Sequence, residues 1–175
     1  MKNLTLKKIS EICNGKLYAD KRIENIEISS ITTDSRKVEK DCMFVAIKGE
    51  RVDGNKFING AYEDGAIVCL SEDKPDKNGI SISEKNGYIV VESCFQALKD
   101  IAEYYREVMN TKIVGITGSV GKTSTKEMLA AVMSEKFNTL KTQGNFNNEV
   151  GVPLTLFRLS EEHELAIVEM GISDF

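Results

Sequence analysis

The chain is 175 residues long, enough for one large domain or two small ones with a real hydrophobic core. Its 41% apolar and 29% charged residues are those of an ordinary folded globule, which excludes disorder, collagen and coiled-coil rods. The 23 basic and 27 acidic residues leave a net charge of -4, without the concentrated positive face that a nucleic-acid backbone demands.

In chain order, Thr5 can cap a short helix in which Leu6, Ile9, Ile12 and Cys13 recur at helical spacing, with Asn14-Gly15 as its stop. Residues 26–31 alternate in β fashion, with Ile26, Ile28 and Ser30 opposing Glu27, Ser29 and Ile31. Met43–Ile47, Ala66–Leu70 and Tyr88–Val91 are further β runs, and Phe57–Glu63 fits a helix between two of them. None of these runs approaches the roughly 20 apolar residues that cross a bilayer. The N-terminus lacks the apolar stretch of a secretory signal, so a cytoplasmic location is expected. Ser71–Asn86 is polar, carries Pro75, and holds Ile80 and Ile82 as its large apolar residues, which predicts a surface excursion with one edge strand. Cys13, Cys42, Cys69 and Cys94 are evenly spread with no histidine beside them, and read as small hydrophobes, not as zinc ligands or disulfides. Residues 1–92 thus predict a small α/β domain.

Ser93-Cys94-Phe95-Gln96 has the form of a capping box and opens a helix over 93–109, with Leu98, Ile101, Ala102, Tyr105 and Met109 along one stripe. Ile113–Ile116 is a continuous apolar run, the pattern of a parallel strand covered on both faces. Thr123–Lys136 predicts a helix burying Met128, Leu129, Val132 and Met133, and Ala166–Val168 a further buried strand. Strand, turn, helix and strand begin a doubly wound α/β fold, so 93–175 predicts part of a second α/β domain with the 93–109 helix as lead-in.

The sharpest motif lies between that strand and that helix: Thr117-Gly118-Ser119-Val120-Gly121-Lys122-Thr123. Glycines let the backbone turn its N–H groups inward, the helix N-terminus presents the positive end of its dipole, and Lys122 adds a full charge. This is the chemistry of a phosphate-binding loop for ATP, in which Thr123 places its hydroxyl on Mg²⁺. The general pattern requires Gly at 116, where this chain has Ile116. Glu169 follows the last apolar strand, where a carboxylate either holds the same Mg²⁺ or faces solvent. Gly144–Pro153 brings together Asn145, Asn147 and Asn148, amides that can orient a phosphate, carboxylate or sugar hydroxyl and that are equally the currency of turns. Arg36, with Ser35 beside it, can pair with a neighbouring acid at the surface. His163, flanked by glutamates, reads as a solvated surface residue.

These blocks resemble the Mur ligase family. Residues 117–123 are similar to its shortened phosphate loop, T-G-[ST]-x-G-K-T, and Glu169-Met170-Gly171 to its E-M-G block. Gly144–Leu156 resembles the G-N-x-N-N-x-x-G-x-P-L-T-L block of the branch that adds D-alanyl-D-alanine. Thr33-Asp34-Ser35-Arg36, Phe44–Glu50, Asp53-Gly54 and Phe57 resemble the domain that holds the uridine nucleotide. One departure is Asn55, where the family has His, so the role of that imidazole does not carry over.

The resemblance implies an ATP-dependent ligase of peptidoglycan precursor synthesis. ATP phosphorylates the terminal carboxylate of UDP-MurNAc-tripeptide, and the amine of D-Ala-D-Ala attacks the acyl phosphate. It assigns Lys122 and Glu169 to catalysis, Thr117, Gly118, Ser119, Val120, Gly121, Lys122 and Thr123 to ATP, Thr123 and Glu169 to Mg²⁺, and Ser35, Arg36, Asn147 and Asn148 to substrate. It also implies a monomer acting on small molecules, away from nucleic acid and membrane. The family continues past residue 175, through a carbamylated lysine and a C-terminal domain, so the chain reads as an N-terminal fragment that is inactive alone. The other readings are a non-catalytic nucleotide or UDP-sugar-binding module, or another amide ligase of the same superfamily.

Overall fold

The computed structural model describes residues 1–50 and 52–171, so residues 172–175 of the second predicted domain lie outside the described residues. The chain divides into two compact units, 1–101 and 102–175. Where the sequence reading starts the second unit at residue 93, the divide falls inside the helix that begins there, between Ile101 and Ala102.

In the first unit, Thr5 caps α1 (Leu6–Ile12) by accepting from the Lys8 N–H at 3.1 Å, and Asn14 ends it at a φ of 49°. A five-stranded sheet follows, in the order β1 (Lys16–Tyr18), β5 (Gly87–Val90), β4 (Val68–Ser71), β3 (Met43–Val45), β2 (Ile31–Thr32). All its neighbours are parallel except β1 with β5. A 3₁₀ turn (Gly54–Phe57) runs into α2 (Ile58–Glu63), which buries Ile58 and Ala61 in the core with Phe44, Cys69 and Tyr88. Cys42, Cys69 and Cys94 are buried free thiols, and Cys13 is half-buried.

The strand expected at 26–31 is reduced to its last residue. The Ile28 N–H donates to Leu4 O and the Leu6 N–H to Ile26 O, but α1 begins at Leu6 and leaves room for only one bridge, Thr5 with Glu27. β1 escaped the sequence reading because three residues carry too little alternation. In 71–86 the expected edge strand is replaced by a 3₁₀ turn (Pro75–Asn78), and Ile80, 6% exposed, pins the excursion to the core. Asn55 knits this region together. Its Nδ2 donates to Asp53 Oδ1 at 2.8 Å, while its Oδ1 accepts from Ser71 Oγ at 2.6 Å and Asn78 Nδ2 at 3.2 Å.

Helix α3 (Cys94–Met109) keeps half of its capping box: Ser93 Oγ accepts from the Gln96 N–H at 3.3 Å. The Gln96 side chain instead turns to Asp100, and Glu72 accepts the Cys94 N–H at 2.9 Å. The second unit is built on a parallel three-stranded sheet in the order β6 (Lys112–Ile116), β8 (Leu165–Glu169), β7 (Thr139–Lys141). β8 is buried throughout. β6 is only partly covered, with Gly115 exposed, which corrects the expectation of a strand shielded on both faces. β7, with Leu140 as its one apolar residue, was not legible as a strand.

Helix α4 (Lys122–Ser134) also turns a different face inward than expected. Met128 and Val132 are 71% and 68% exposed, and the buried seam runs through Lys126, Leu129, Ala130 and Met133. That seam is a proper helical stripe, but counting Lys126 as a solvent residue rotates the apparent apolar face. α5 (Gly151–Leu156) completes the described unit.

Candidate functional site

The register of the second sheet sets the site. Ile116, the last residue of β6, pairs with Glu169, the last residue of β8, so the chain leaving β6 turns directly beside that carboxylate at the C-terminal end of the sheet. The turn 117–121 needs its glycines for backbone conformation: Gly118 has a φ of 142° and Gly121, at the N-cap of α4, a φ of 79°. The first intrahelical bond joins the Thr125 N–H to Gly121 O, so the N–H groups before it point out of the helix start. Lys122 donates from Nζ to Gly118 O at 2.6 Å, spanning the loop. Thr117, Ser119 and the 87% exposed Val120 complete the turn.

Thr123 and Asn147 converge on one oxygen. Glu169 Oε1 accepts from Thr123 Oγ1 at 3.2 Å and from Asn147 Nδ2 at 3.0 Å. Glu169 is 1% exposed and is not the solvent-facing strand end its position alone allowed. Its backbone N–H donates to Thr142 Oγ1 at 2.9 Å, and Lys126 Nζ lies 3.3 Å from Oε2. Burial pushes the carboxyl pKa up, but the Asn147 amide, the Lys126 ammonium and the Thr123 hydroxyl outweigh it, and the net shift is below the ordinary value.

The amide block separates into two roles. Asn147 reaches the carboxylate, and its backbone O accepts the Gly171 N–H at 2.6 Å. Asn148 turns away and accepts the Gly151 N–H at 2.7 Å, fixing the start of α5. Gly151 is required by space, since a Cβ there would lie 2.5 Å from the Phe146 backbone. His163 is half-buried, and its Nδ1 accepts the Ser160 N–H at 3.1 Å, so it closes a turn instead of standing in water.

The residues present fit a hard divalent cation. Glu169 Oε2 is buried without a hydrogen-bond partner among the described residues, with the Lys126 ammonium 3.3 Å away as its ion-pair partner. Hydroxyl and carboxylate oxygens are the donors Mg²⁺ prefers. No group of three or more His, Cys, Asp or Glu is assembled for a metal among the described residues.

In the first unit a cleft of about 500 Å³ is lined by Ser35, Arg36, Phe44, Ile47, Gly54 and Phe57, among others. Ser35 opens a 3₁₀ turn (Ser35–Lys37) capped by Asp34. The Arg36 fork contacts Asp34 at two points, Nε to Oδ1 and Nη2 to Oδ2, both at 2.8 Å. This pair brings the Asp34 pKa down to about 2. The local acid reading of Arg36 is therefore present in the fold, at the rim of a cleft that an extended ligand could enter.

Two residues of the site were missed from the sequence. Lys126 is spaced four residues beyond Lys122, on the same side of α4, a spacing that could have flagged it. Thr142 carried no signal, since a lone threonine after a short strand is unremarkable.

A family model described as the Mur ligase family, catalytic domain, matches residues 27–106, and one described as the Mur ligase middle domain matches 116–175. The UDP-N-acetylmuramoyl-tripeptide--D-alanyl-D-alanine ligase of Bacillus subtilis is 38% identical over 97% of this chain and 36% of its own length. A crystal structure of MurF from Acinetobacter baumannii superposes with a TM-score of 0.84 at 36% identity, covering 97% of this chain and 36% of that one. A MurF ligase from Thermotoga maritima, solved in complex with ADP, superposes with a TM-score of 0.70 at 34% identity over 81% of this chain and 32% of that one. The chain thus spans about a third of the length of the relatives it matches.

Proposed function

Because the chain belongs to the Mur ligase family, we propose that it is the substrate-entry and ATP-binding part of a ligase joining D-alanyl-D-alanine to UDP-N-acetylmuramoyl-tripeptide in peptidoglycan precursor synthesis. The observation that carries this reading is the meeting of Thr123 and Glu169 at 3.2 Å beside the loop that Lys122 spans. That the Thermotoga maritima relative was solved in complex with ADP supports an adenine nucleotide as a ligand.

Residues 1–92 hold the UDP end of the substrate, with Ser35 and Arg36 at the cleft rim, and 93–175 hold ATP. The N–H groups of Thr117–Thr123 cradle the phosphates, and the Lys122 ammonium swings from the Gly118 carbonyl to neutralise the transferring γ-phosphoryl group. Thr123 and Glu169 would hold Mg²⁺, which would offset phosphate charge. Asn147 keeps Glu169 oriented and faces the acceptor end of the substrate, while Asn148 acts through the start of α5. The substrate carboxylate takes the γ-phosphoryl group with loss of ADP. The dipeptide amine then attacks the acyl carbon, phosphate departs, and the amine gives up its proton. No protein nucleophile is required, so positioning and charge neutralisation carry the rate. The enzyme works on small molecules, as a cytoplasmic monomer.

Phosphate release with UDP-MurNAc-tripeptide, D-Ala-D-Ala and MgATP tests the reading on this chain and on a version extended along its reading frame. The extended protein turns over only with the dipeptide present. Turnover with a single amino acid in its place assigns the chain to another amide ligase of the family, and nucleotide binding without release makes it a binding module.

A further inference from the structure

Lys126 is 1% exposed, one helical turn beyond Lys122. A buried ammonium is costly unless paired, and its partners identify what it does. Its Nζ lies 3.3 Å from Glu169 Oε2, donates to Gly144 O at 3.3 Å, and lies 3.4 Å from Glu127 Oε1. Glu127 is half exposed and also paired with Lys141, so the buried partner is Glu169. Glu169 in turn holds Asn147 through Oε1, and Asn147 lies three residues along the loop from Gly144. The contacts close a ring: lysine to carboxylate, carboxylate to amide, amide along the loop to Gly144, and Gly144 back to the lysine.

We propose that Lys126 is a positioning residue of this site: its ammonium engages Glu169 on Oε2, keeps Oε1 toward Thr123, and pins the 144–147 loop to α4. The inference rests on the reading of Thr123 and Glu169 as a metal–nucleotide pair. A lysine serving only to pack could be replaced by a methionine of similar volume without consequence for metal binding. A lysine that orients a metal carboxylate could not.

The test uses the full chain and four proteins: wild type, Lys126→Met, Glu169→Gln and the double variant. ADP affinity is measured by calorimetry with and without Mg²⁺, and hydrogen exchange is followed at the amides of 144–147. Lys126→Met is expected to reduce the Mg²⁺ enhancement of ADP affinity by about 10- to 100-fold, the usual effect of losing a residue that orients a metal ligand. Its metal-free ADP affinity stays at the wild-type value and its loop amides exchange faster. If the single variant fails to fold, the double variant removes both buried charges. Its loop amides then exchange faster than those of Glu169→Gln, because only the double variant has lost the Gly144 tether. Wild-type Mg²⁺ enhancement and loop exchange in Lys126→Met overturn the proposal, as does equal loop exchange in the two Glu169→Gln proteins. Absence of ADP binding by the wild type brings down the nucleotide reading itself, and this inference with it.

Discussion

Thr123 and Glu169 are 46 residues apart in the chain and 3.2 Å apart in space, joined by a hydrogen bond from the first turn of α4 to the end of β8. The meeting follows from parallel pairing of β6 with β8, which places Glu169 beside Ile116 just before the glycine turn. Replacing Thr123 by Ser keeps the hydroxyl, and replacing it by Val removes it. We expect Thr123→Ser to retain Mg²⁺-dependent ADP binding and Thr123→Val to lose about tenfold or more of the Mg²⁺ enhancement, read by calorimetry.

Lys122 ends on the loop and not in the core. Lys122→Ala should therefore abolish MgATP binding while leaving the circular dichroism spectrum and melting curve near wild type. Normal MgATP affinity in that variant would remove the case for a phosphate loop.

The depressed pKa of Glu169 makes a prediction for acid stability. A carboxylate whose folded value lies below its unfolded value near 4.5 contributes stability above that value and loses it as pH falls through the folded one. Stability attributable to Glu169 should thus be constant from neutral pH down to the unfolded value and decline below it. In Glu169→Gln that decline should shrink in urea titrations run across the acid range, and an unchanged slope would contradict the assignment.

Two glycines separate space from flexibility. At Gly60, inside α2, an added Cβ meets nothing within 4 Å. Gly60→Ala should stabilise the fold by about 0.5–1 kcal/mol through the unfolded chain. Gly151→Ala drives a Cβ to 2.5 Å from the Phe146 backbone and should destabilise by about 1–3 kcal/mol. Thermal or urea melts of the two variants should move in opposite directions.

The Arg36 fork sets the Asp34 carboxyl. Arg36→Gln should return the Asp34 pKa from about 2 toward 3.8, followed by carboxyl NMR titration. A value still near 2 would transfer the effect to the backbone N–H at Arg36, which also donates to Asp34.

The glycine turn at 117–121, its flanking strand and helix, and the family were legible from sequence because each rests on local order: a positive-φ glycine, a capping position, an apolar run. So was Glu169 as a candidate, though not its burial. Tertiary structure alone decided what could not be written in neighbouring residues. It turned α4 so that Lys126 faces inward and Met128 outward, because the seam follows the sheet and the carboxylate and not hydropathy. It divided the paired amides, sending Asn147 to Glu169 and Asn148 to α5. It reduced the run at 26–31 to a bridge at Glu27 and the first residue of β2 at Ile31, since strand pairing depends on what lies opposite. A charged side chain reads as solvent-facing until the fold brings an opposite charge to it, and that pairing is a property of three dimensions.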